Sequence, residues 1–588
     1  RLEYRGYDSA GLAIVQDGHI EVRRRAGKLI NLANSLAESP LSSPMGIGHT
    51  RWATHGRPTE ENAHPHTDCQ KKIVVVHNGI IENYLSLKHR LQEEGHRFQT
   101  ETDTEVISHL VERHYRGDLV QAVRSALKEI EGAYAIVVIH ADEPEVIVTA
   151  REGPPIVIGH GEGEYFVASD IPAILEHTRK IYFLDDEEIA VLRPEGVEVS
   201  TLSGEPRQKK IQTVSWDPVQ AEKGGYKHFM LKEIFEQSVA IEDTFRGRIN
   251  RDQGVLFLED LHLGPQELKK IDKVFLVACG TSWHAALVGK FMIEQLARIP
   301  CEVDIGSEFR YRNPIVNDRI LTIVISQSGE TADTIAAERE AKGKGARIVA
   351  ICNVVGSMLT QLADGVLYTH AGPEIGVAST KAFTTQLVAL YLLAIHLGQG
   401  KGLLGQKEVS HLLEELVKIP HLLDKVLTTT AKPIEKLATD IAKARDCLYL
   451  GRGINYPIAL EGALKLKEIS YLHAEGYPAG EMKHGPIALI DQEVPVVLLA
   501  PHGANYVKTL ANLSEAKARG GQIIVLTNEE NQDVDRLADH LIRVPASSDL
   551  LTPIVLTVPL QLLAYHVAVA RGNDVDQPRN LAKSVTVE

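Results

Sequence analysis

The chain is 588 residues long and carries 63 basic against 78 acidic residues, a net charge of −15. Its length allows about three or four domains at roughly 150 residues each, and its 44% apolar and 24% charged residues exclude a disordered or collagen-like chain. The acidic balance and dispersed basic residues argue against nucleic acid as the main partner, because phosphate binding needs a concentrated basic face.

The first 217 residues mix short β-rich runs with helical patterns. Residues 73–76 form an apolar strand that is expected to end at a His77-Asn78-Gly79 turn. Residues 133–139, 146–149, 156–158 and 165–168 follow with no crossover helix between them. Antiparallel pairing is therefore predicted, as stacked sheets with helices outside. Thr50-Arg51-Trp52-Ala53-Thr54-His55-Gly56 is a compact set of donors around an aromatic ring. Arg51 and Asp103 suit the carboxylate and amine of an α-amino acid. Asn78 and the Gly79 N–H suit an oxyanion hole. By spacing alone His64 and His66 read equally well as structural. Residues 218–267 read as a charged connector with one helix over 233–241.

From residue 268 strands alternate with helical stretches of ten or more residues. That pattern predicts parallel sheets with helices on both faces. Within this half the densest apolar stretch, 387–397, is too short for the roughly 18–20 residues of a membrane span and reads as a buried helix. The half also repeats itself. Gly280 and Gly453 each close a strand 173 residues apart, and Glu340-Ala341-Lys342 recurs as Glu515-Ala516-Lys517. After its central strand the first copy has Ser326-Gln327-Ser328-Gly329-Glu330-Thr331, where the second has Pro501-His502-Gly503-Ala504-Asn505. Three hydroxyls and an amide ahead of a helix suit a phosphate monoester, so the first copy is expected to keep a ligand loop that the second has lost. Thr281 and Ser282 hold the equivalent place after the preceding strand. Glu374 to Lys381, with Val377 and Ser379, is a third small-residue loop before a helix. Glu461, Lys465 and Glu468 share one helix face. By spacing that is a solvated salt-bridged face, although the same helix is otherwise apolar. His484 follows, and Lys583 lies in a tail that would ordinarily fray. The five cysteines are far apart with no CxxC, which points to free thiols in a reducing cytoplasm. No HExxH or other metal spacing occurs, so neither metal nor cofactor is expected.

Together these motifs resemble the isomerising glutamine–fructose-6-phosphate aminotransferases. The carriers are 4–11 (Tyr-Arg-Gly-Tyr-Asp-Ser-Ala-Gly), 49–56, 77–83, 326–331, 461–468 and 577–588, in that order along the whole chain. The resemblance implies an α/β multidomain protein. It has an N-terminal-nucleophile glutaminase of stacked antiparallel sheets over 1–217, a linker over 218–267, and two sugar-isomerase (SIS) domains of doubly wound parallel sheets over 268–432 and 433–578. A catalytic tail follows over 579–588. It implies that Arg51, Thr54, His55, His64, Asn78, Gly79 and Asp103 serve glutamine binding and the oxyanion hole, with Trp52 gating an ammonia channel. Thr281, Ser282, Ser326, Gln327, Ser328, Thr331, Val377 and Ser379 would hold the sugar phosphate. Glu468 would shuttle a proton between carbons 1 and 2, Lys465 would assist, Lys583 would form a Schiff base, and His484 would open the sugar ring from the neighbouring subunit of at least a dimer.

The implied activity is conversion of fructose 6-phosphate to glucosamine 6-phosphate with glutamine as nitrogen donor, the first step of amino-sugar synthesis. One departure stands out. The resemblance places a cysteine nucleophile ahead of the motif that opens this chain, so that segment is expected upstream of Arg1. A chain truly starting at Arg1 would hydrolyse no glutamine by that mechanism, and Cys69 is no substitute. The alternatives are an ammonia-dependent sugar-phosphate isomerase or deaminase, and a non-catalytic sugar-phosphate-binding regulator. No DNA-binding motif favours the latter.

Overall fold

The computed structural model describes the chain apart from residues 1, 4, 5, 7, 52–56, 58, 215–222, 529, 531, 587 and 588. In the first 217 residues a six-stranded antiparallel sheet has the order Gly196–Thr201, Glu188–Arg193, Ile147–Glu152, Gly132–His140, Ile73–Ile81, His66–Thr67. Strand alternation gives it two apolar faces. Ile73, Val75, Ile136 and Val138 pack under the helices Tyr84–Glu93, Glu105–His114 and Leu119–Leu127. Val74, Val76 and Ile139 pack on a three-stranded sheet through Ala13, Val15 and Ile47. A four-stranded sheet covers Ala135, Ala190 and Leu192 on that same face. The predicted stack of antiparallel sheets with outer helices is what forms.

The expected turn at His77-Asn78-Gly79 is instead the middle of the strand Ile73–Ile81. Gly79 makes this possible. Its φ is +146°, and a Cβ there would stand 2.0 Å from the Ala133 carbonyl oxygen. Only glycine continues the ladder at so close an approach.

The second half contains two five-stranded, all-parallel sheets with the same topology. The first runs Cys301–Ile305, Lys273–Ala278, Ile320–Ser326, Arg347–Cys352, Gly365–Tyr368. The second runs His473–Pro478, Asp446–Gly451, Pro495–Leu499, Gln522–Thr527, His540–Arg543. Both have the order 2-1-3-4-5, in which ligands bind at the strand C-terminal ends. The glycines that close the first strand of each copy, Gly280 and Gly453, share a φ of +54°. The repeat read in the sequence is thus a repeat of fold.

Two expectations on domain limits differ from the structure. The helix expected over 233–241 within the connector is two helices, Phe229–Phe235 and Gln237–Phe245, and Met230, Ile234 and Ile241 are buried in the core of the second half. The charges along the segment concealed an apolar face. The boundary at 432/433 falls inside the single helix Gln406–Ile441, which continues through Pro420 and Pro433. The helices Lys381–Gly400 and Thr552–Ala570 are each long and apolar enough to cross a membrane. The second of these was not singled out in the sequence. Both lie within the common core, 89% and 83% buried over their most apolar windows.

Leu390 in that first helix is fully buried and meets Gly289 of the helix Gly280–Leu296. Leu390→Ala leaves a cavity at a helix crossing that has no slack. It is expected to cost about 2–5 kcal/mol, read as an earlier calorimetric unfolding transition.

Candidate active sites

The loop after strand Ile320–Ser326 is closed by its own hydroxyls. Ser326 Oγ lies 3.0 Å from Thr331 Oγ1 and accepts the Gly329 N–H at 3.0 Å. Ser328 Oγ accepts the Glu330 N–H at 3.2 Å. Gly329 has a φ of +69°, and its hydrogen faces Ser357 where a Cβ would be only 2.0 Å from Oγ. The loop leads into helix Ala332–Gly343, so its N–H groups and helix dipole favour an anion. Gln327 and Ser328 line a cleft with Glu374, Ile375, Lys583 and Ser584.

The C-terminal tail forms much of this cleft. The Lys583 side chain is only 5% exposed and pairs with Glu374 at 2.5 Å, and it also donates to the Gly376 carbonyl at 2.8 Å. Ser584 Oγ lies 2.8 Å from Ser328 Oγ. The Val585 carbonyl accepts the Ala332 N–H at 3.1 Å, at the start of the loop's helix. The tail is anchored here because Lys583, Ser584 and Val585 each have a partner in the loop or below it.

Beneath the tail lie two buried carboxylates that sequence reasoning did not assign. Glu374 accepts the N–H groups of Thr380 and Ala382 at 2.8 and 2.9 Å and the Ser379 hydroxyl at 3.0 Å. Burial alone would raise its pKa, but the Lys583 ammonium and those N–H groups outweigh burial and lower it. Glu233 accepts the Ile375 and Gly376 N–H groups at 2.5 and 3.2 Å. Burial and the Glu374 charge push its pKa up to about 7, against Lys583 and Lys381. Their signal was faint: Glu374 stood at the head of a small-residue loop, and Glu233 in a segment read as connector.

Glu461, Lys465 and Glu468 are not a solvated face. Lys465 and Glu461 are each 1% exposed, at the contact of helix Tyr456–Ser470 with helix Gly280–Leu296. Lys465 Nζ pairs with Glu468 at 2.7 Å and Glu461 at 3.5 Å, and donates to Thr281 Oγ1 at 3.0 Å. His284 Nδ1 meets Glu461 at 2.7 Å. Burial would lower the Lys465 pKa, but Glu468 and Glu461, and less strongly Glu374, raise it to about 12. The ammonium is therefore permanent, and the two repeats are joined through it. Ser282 accepts from Gln386 Nε2 at 3.0 Å. Val377 is buried, and its N–H donates to the Asp576 carbonyl at 3.3 Å. His484 is not brought to this cleft. It is exposed at the end of the 3-10 helix Ala479–His484.

The second site is a pocket in the first domain lined by Arg51, His64, Asn78, Gly79, Asp103 and Thr586, among others. Arg51 and Asp103 are both buried, and Asp103 accepts the Ile81 N–H at 2.8 Å. Burial lowers the Arg51 pKa, with Asp8 and Asp103 opposing. His64 stacks on His49 at 4.3 Å and touches His66 edge-on. Burial, reinforced by the neighbouring rings and Arg51, holds His64 well below its usual pKa, and His49 and His66 are lowered to about 3. These rings are neutral packing and hydrogen-bonding groups. The expectations for Trp52, Thr54 and His55 lie outside the described residues.

The two pockets share Pro155, Ser169 and Ser584, and Asn78 Nδ2 donates to Thr586 Oγ1 at 3.5 Å. One tail therefore runs through the wall of both sites.

Comparison with known proteins agrees with this arrangement. The SIS domain family matches residues 267–396 and 440–571, and the glutamine amidotransferase domain matches 49–176. A glutamine–fructose-6-phosphate aminotransferase [isomerizing] of Caldanaerobacter subterraneus is 53% identical over 100% of this chain and 96% of its own length. The chain belongs to the isomerising glutamine–fructose-6-phosphate aminotransferases. A Thermus thermophilus member of the family is 54% identical with the same coverage. The C-terminal domain of glucosamine-fructose-6-phosphate aminotransferase from Francisella tularensis superposes with a TM-score of 0.58 at 43% identity, over 61% of this chain and 99% of its own. Tagatose-6-phosphate ketose/aldose isomerase from Escherichia coli shares the fold alone, with a TM-score of 0.50 at 18% identity, over 60% of this chain and 96% of its own.

In this aminotransferase Glu233 has a folded pKa above its unfolded value. Its neutral form is favoured, so the stability tied to it is full below about pH 4.5 and declines as pH rises through about 7. Glu233→Gln keeps an oxygen to accept the Ile375 and Gly376 N–H groups. The melting temperature of the variant relative to the parent is expected to climb between pH 5 and pH 8, measured by calorimetry across that range.

Proposed function

We propose that the chain makes glucosamine 6-phosphate from fructose 6-phosphate, with glutamine as the nitrogen donor. The observation that carries the reading is the tail. Lys583 lies beside the hydroxyl loop in one pocket, and Thr586 lies beside Asn78 in the other. A chain whose glutamine pocket and sugar-phosphate cleft share a wall suits transfer of ammonia between them without release to solvent. The second half alone would need no such wall, which sets aside the reading as an ammonia-dependent isomerase.

In the glutamine pocket Arg51 and Asp103 hold the amino acid by its carboxylate and amine. Asn78 Nδ2 and the Gly79 N–H stabilise the oxyanion formed as the amide carbonyl is attacked. Trp52 gates the passage between the two sites. Ammonia and glutamate leave this pocket.

In the cleft Ser326, Gln327, Ser328 and Thr331 hold the phosphate, joined by Thr281 and Ser282, while Val377 and Ser379 line the sugar. Lys583 attacks carbon 2 as the free amine, and water leaves as the Schiff base forms. Its proton passes toward Glu374, the carboxylate it already touches. Ammonia displaces Lys583. Glu468 then takes a proton from carbon 1 and returns it to carbon 2, turning the ketose imine into the amino aldose. The Lys465 ammonium, 2.7 Å away, orients Glu468 for this work. His484 opens the sugar ring from a neighbouring subunit, because its exposed position leaves it facing outward from its own cleft. The five unpaired cysteines fit a reducing cytoplasm.

Amide-labelled 15N-glutamine supplied with excess unlabelled ammonium tests the coupling in the complete protein. Retention of the label in the amino sugar is expected, and dilution to the ammonium ratio would overturn channelling. Glu468→Gln is expected to lower sugar turnover by about 10²–10⁴-fold while leaving glutamine hydrolysis in place. For the shared site, Lys583→Ala and His484→Ala are each expected to be inactive. Mixing and re-equilibrating the two should restore part of the activity, since one of the two hybrid sites is then intact. No recovery in verified hybrids would assign His484 to its own subunit.

A further inference from the structure

Outside the lining of both pockets, four side chains of the first domain converge on one point. Cys69 lies in the turn before strand Ile73–Ile81, a turn pinned by Asp68, which accepts the Lys72 and Ile73 N–H groups at 2.7 and 2.8 Å. His96 follows helix Tyr84–Glu93. His109 and Glu112 stand three residues apart on one face of helix Glu105–His114. Their donor atoms all lie within 4.8 Å of one another.

The separations have a definite meaning. Cys69 Sγ is 3.8 Å from His96 Nδ1 and 3.6 Å from His109 Nδ1. The two Nδ1 atoms are 3.3 Å apart, and His109 Nδ1 is 3.4 Å from Glu112 Oε2. A tetrahedral zinc ion with bonds of about 2.3 Å to sulfur and 2.0–2.1 Å to nitrogen or oxygen spaces its ligand atoms about 3.6 Å apart for S and N, and about 3.3–3.4 Å for N and N or N and O. Four of the edges match. The His96 Nδ1 to Glu112 Oε2 edge, at 2.9 Å, is shorter and would open on binding.

We propose that Cys69, His96, His109 and Glu112 form a structural zinc site. The donor set is one thiolate, two imidazoles and one carboxylate, which suits zinc and not the oxygen-seeking calcium or magnesium. A thiolate and a carboxylate neutralise the divalent charge, and binding releases the Cys69 proton to solvent. The surroundings supply outer partners. The Arg97 N–H points at Cys69 Sγ at 3.4 Å. The buried Glu105 stands 3.7 Å from His109 Nε2, the nitrogen facing away from the cluster, and is itself held by the Gln99 and Thr100 N–H groups at 2.7 Å each. A carboxylate behind a ligating histidine sets its tautomer and orientation. The sequence held no metal spacing because the ligands come from three separate segments.

The site would tie the turn before strand Ile73–Ile81 to helix Glu105–His114. That strand carries Asn78 and Gly79, and Asp103 and Thr104 immediately precede that helix. Zinc here would hold the glutamine pocket together from behind without touching substrate.

Metal analysis of the full-length aminotransferase, purified without metal-chelating resin and dialysed, should find one zinc per chain. Cys69→Ser and His96→Ala should each lower it to a small fraction. Cobalt(II) should give the visible bands of a tetrahedral site and a thiolate charge-transfer band that Cys69→Ser removes. Glu105→Gln should keep the site but lower zinc affinity by about 10–100-fold. If the ligand variants do not fold, the parent chain stripped with chelator and titrated with zinc against a chromophoric competitor decides the question. Binding that is substoichiometric or weaker than micromolar overturns the proposal and leaves a metal-free hydrogen-bonded cluster. So does a cobalt spectrum indifferent to Cys69.

Discussion

Lys583 and Glu374 are both buried charges, and each makes the burial of the other tolerable. The carboxylate is placed first. It receives N–H groups from the start of helix Lys381–Gly400, where the helix dipole also favours a negative charge. That helix is among the most deeply buried in the molecule. The position of Glu374 is thus inherited from the core, and Lys583 inherits its position from Glu374. Once Lys583 is docked, Ser584, Val585 and Thr586 fall against the hydroxyl loop, the helix behind it and the glutamine pocket in turn. The walls of both sites follow from one ion pair.

The two sites treat charge in opposite ways. Around His64 the protein buries ionisable rings so deeply that burial outweighs the nearby Glu105 and Asp103, and they are held neutral. Around Lys465 it buries an ammonium with two carboxylates, and it is held charged. With these rings neutral, Arg51 and Asp103 are the charged side chains among the described residues that line the pocket. In the proposed mechanism that fixed ammonium orients Glu468 from 2.7 Å. Glu233, with a pKa of about 7, is the intermediate case: it adjusts to whatever charge Lys583 and Glu374 present.

Much of this was legible in the sequence. Period-two and continuous apolar runs gave the sheets, and the repeat gave two parallel domains because landmarks such as Gly280 and Gly453 encode backbone conformation. The hydroxyl loop could be read because three side chains exceed what capping needs. Lys583 could not be read from spacing, since its partner Glu374 lies 209 residues away, and the roles of Glu468 and His484 likewise came only through family resemblance. Glu374 and Glu233 were missed because the contacts that single them out, Lys583 for one and the Ile375 N–H for the other, are 209 and 142 residues distant. Strand Ile73–Ile81 was cut short because an Asn-Gly pair ordinarily turns a chain. What the pair does here depends on the Ala133 carbonyl opposite, which local sequence does not contain. The metal-like cluster at Cys69 shows the same limit, as three segments meet only in the fold.

The two helices apolar enough to be mistaken for membrane spans occupy equivalent places in the repeat, each the last element of its copy. Lys381–Gly400 packs on Gln237–Phe245 and Gly280–Leu296, and Thr552–Ala570 packs on Gln406–Ile441 and Tyr456–Ser470. In each case the covering helices are made earlier on the ribosome. Chains fold as they emerge, from the N-terminal side. Each sticky helix therefore leaves the exit tunnel to find its cover already synthesised, and the interval in which it could be captured by a membrane or by another nascent chain is short.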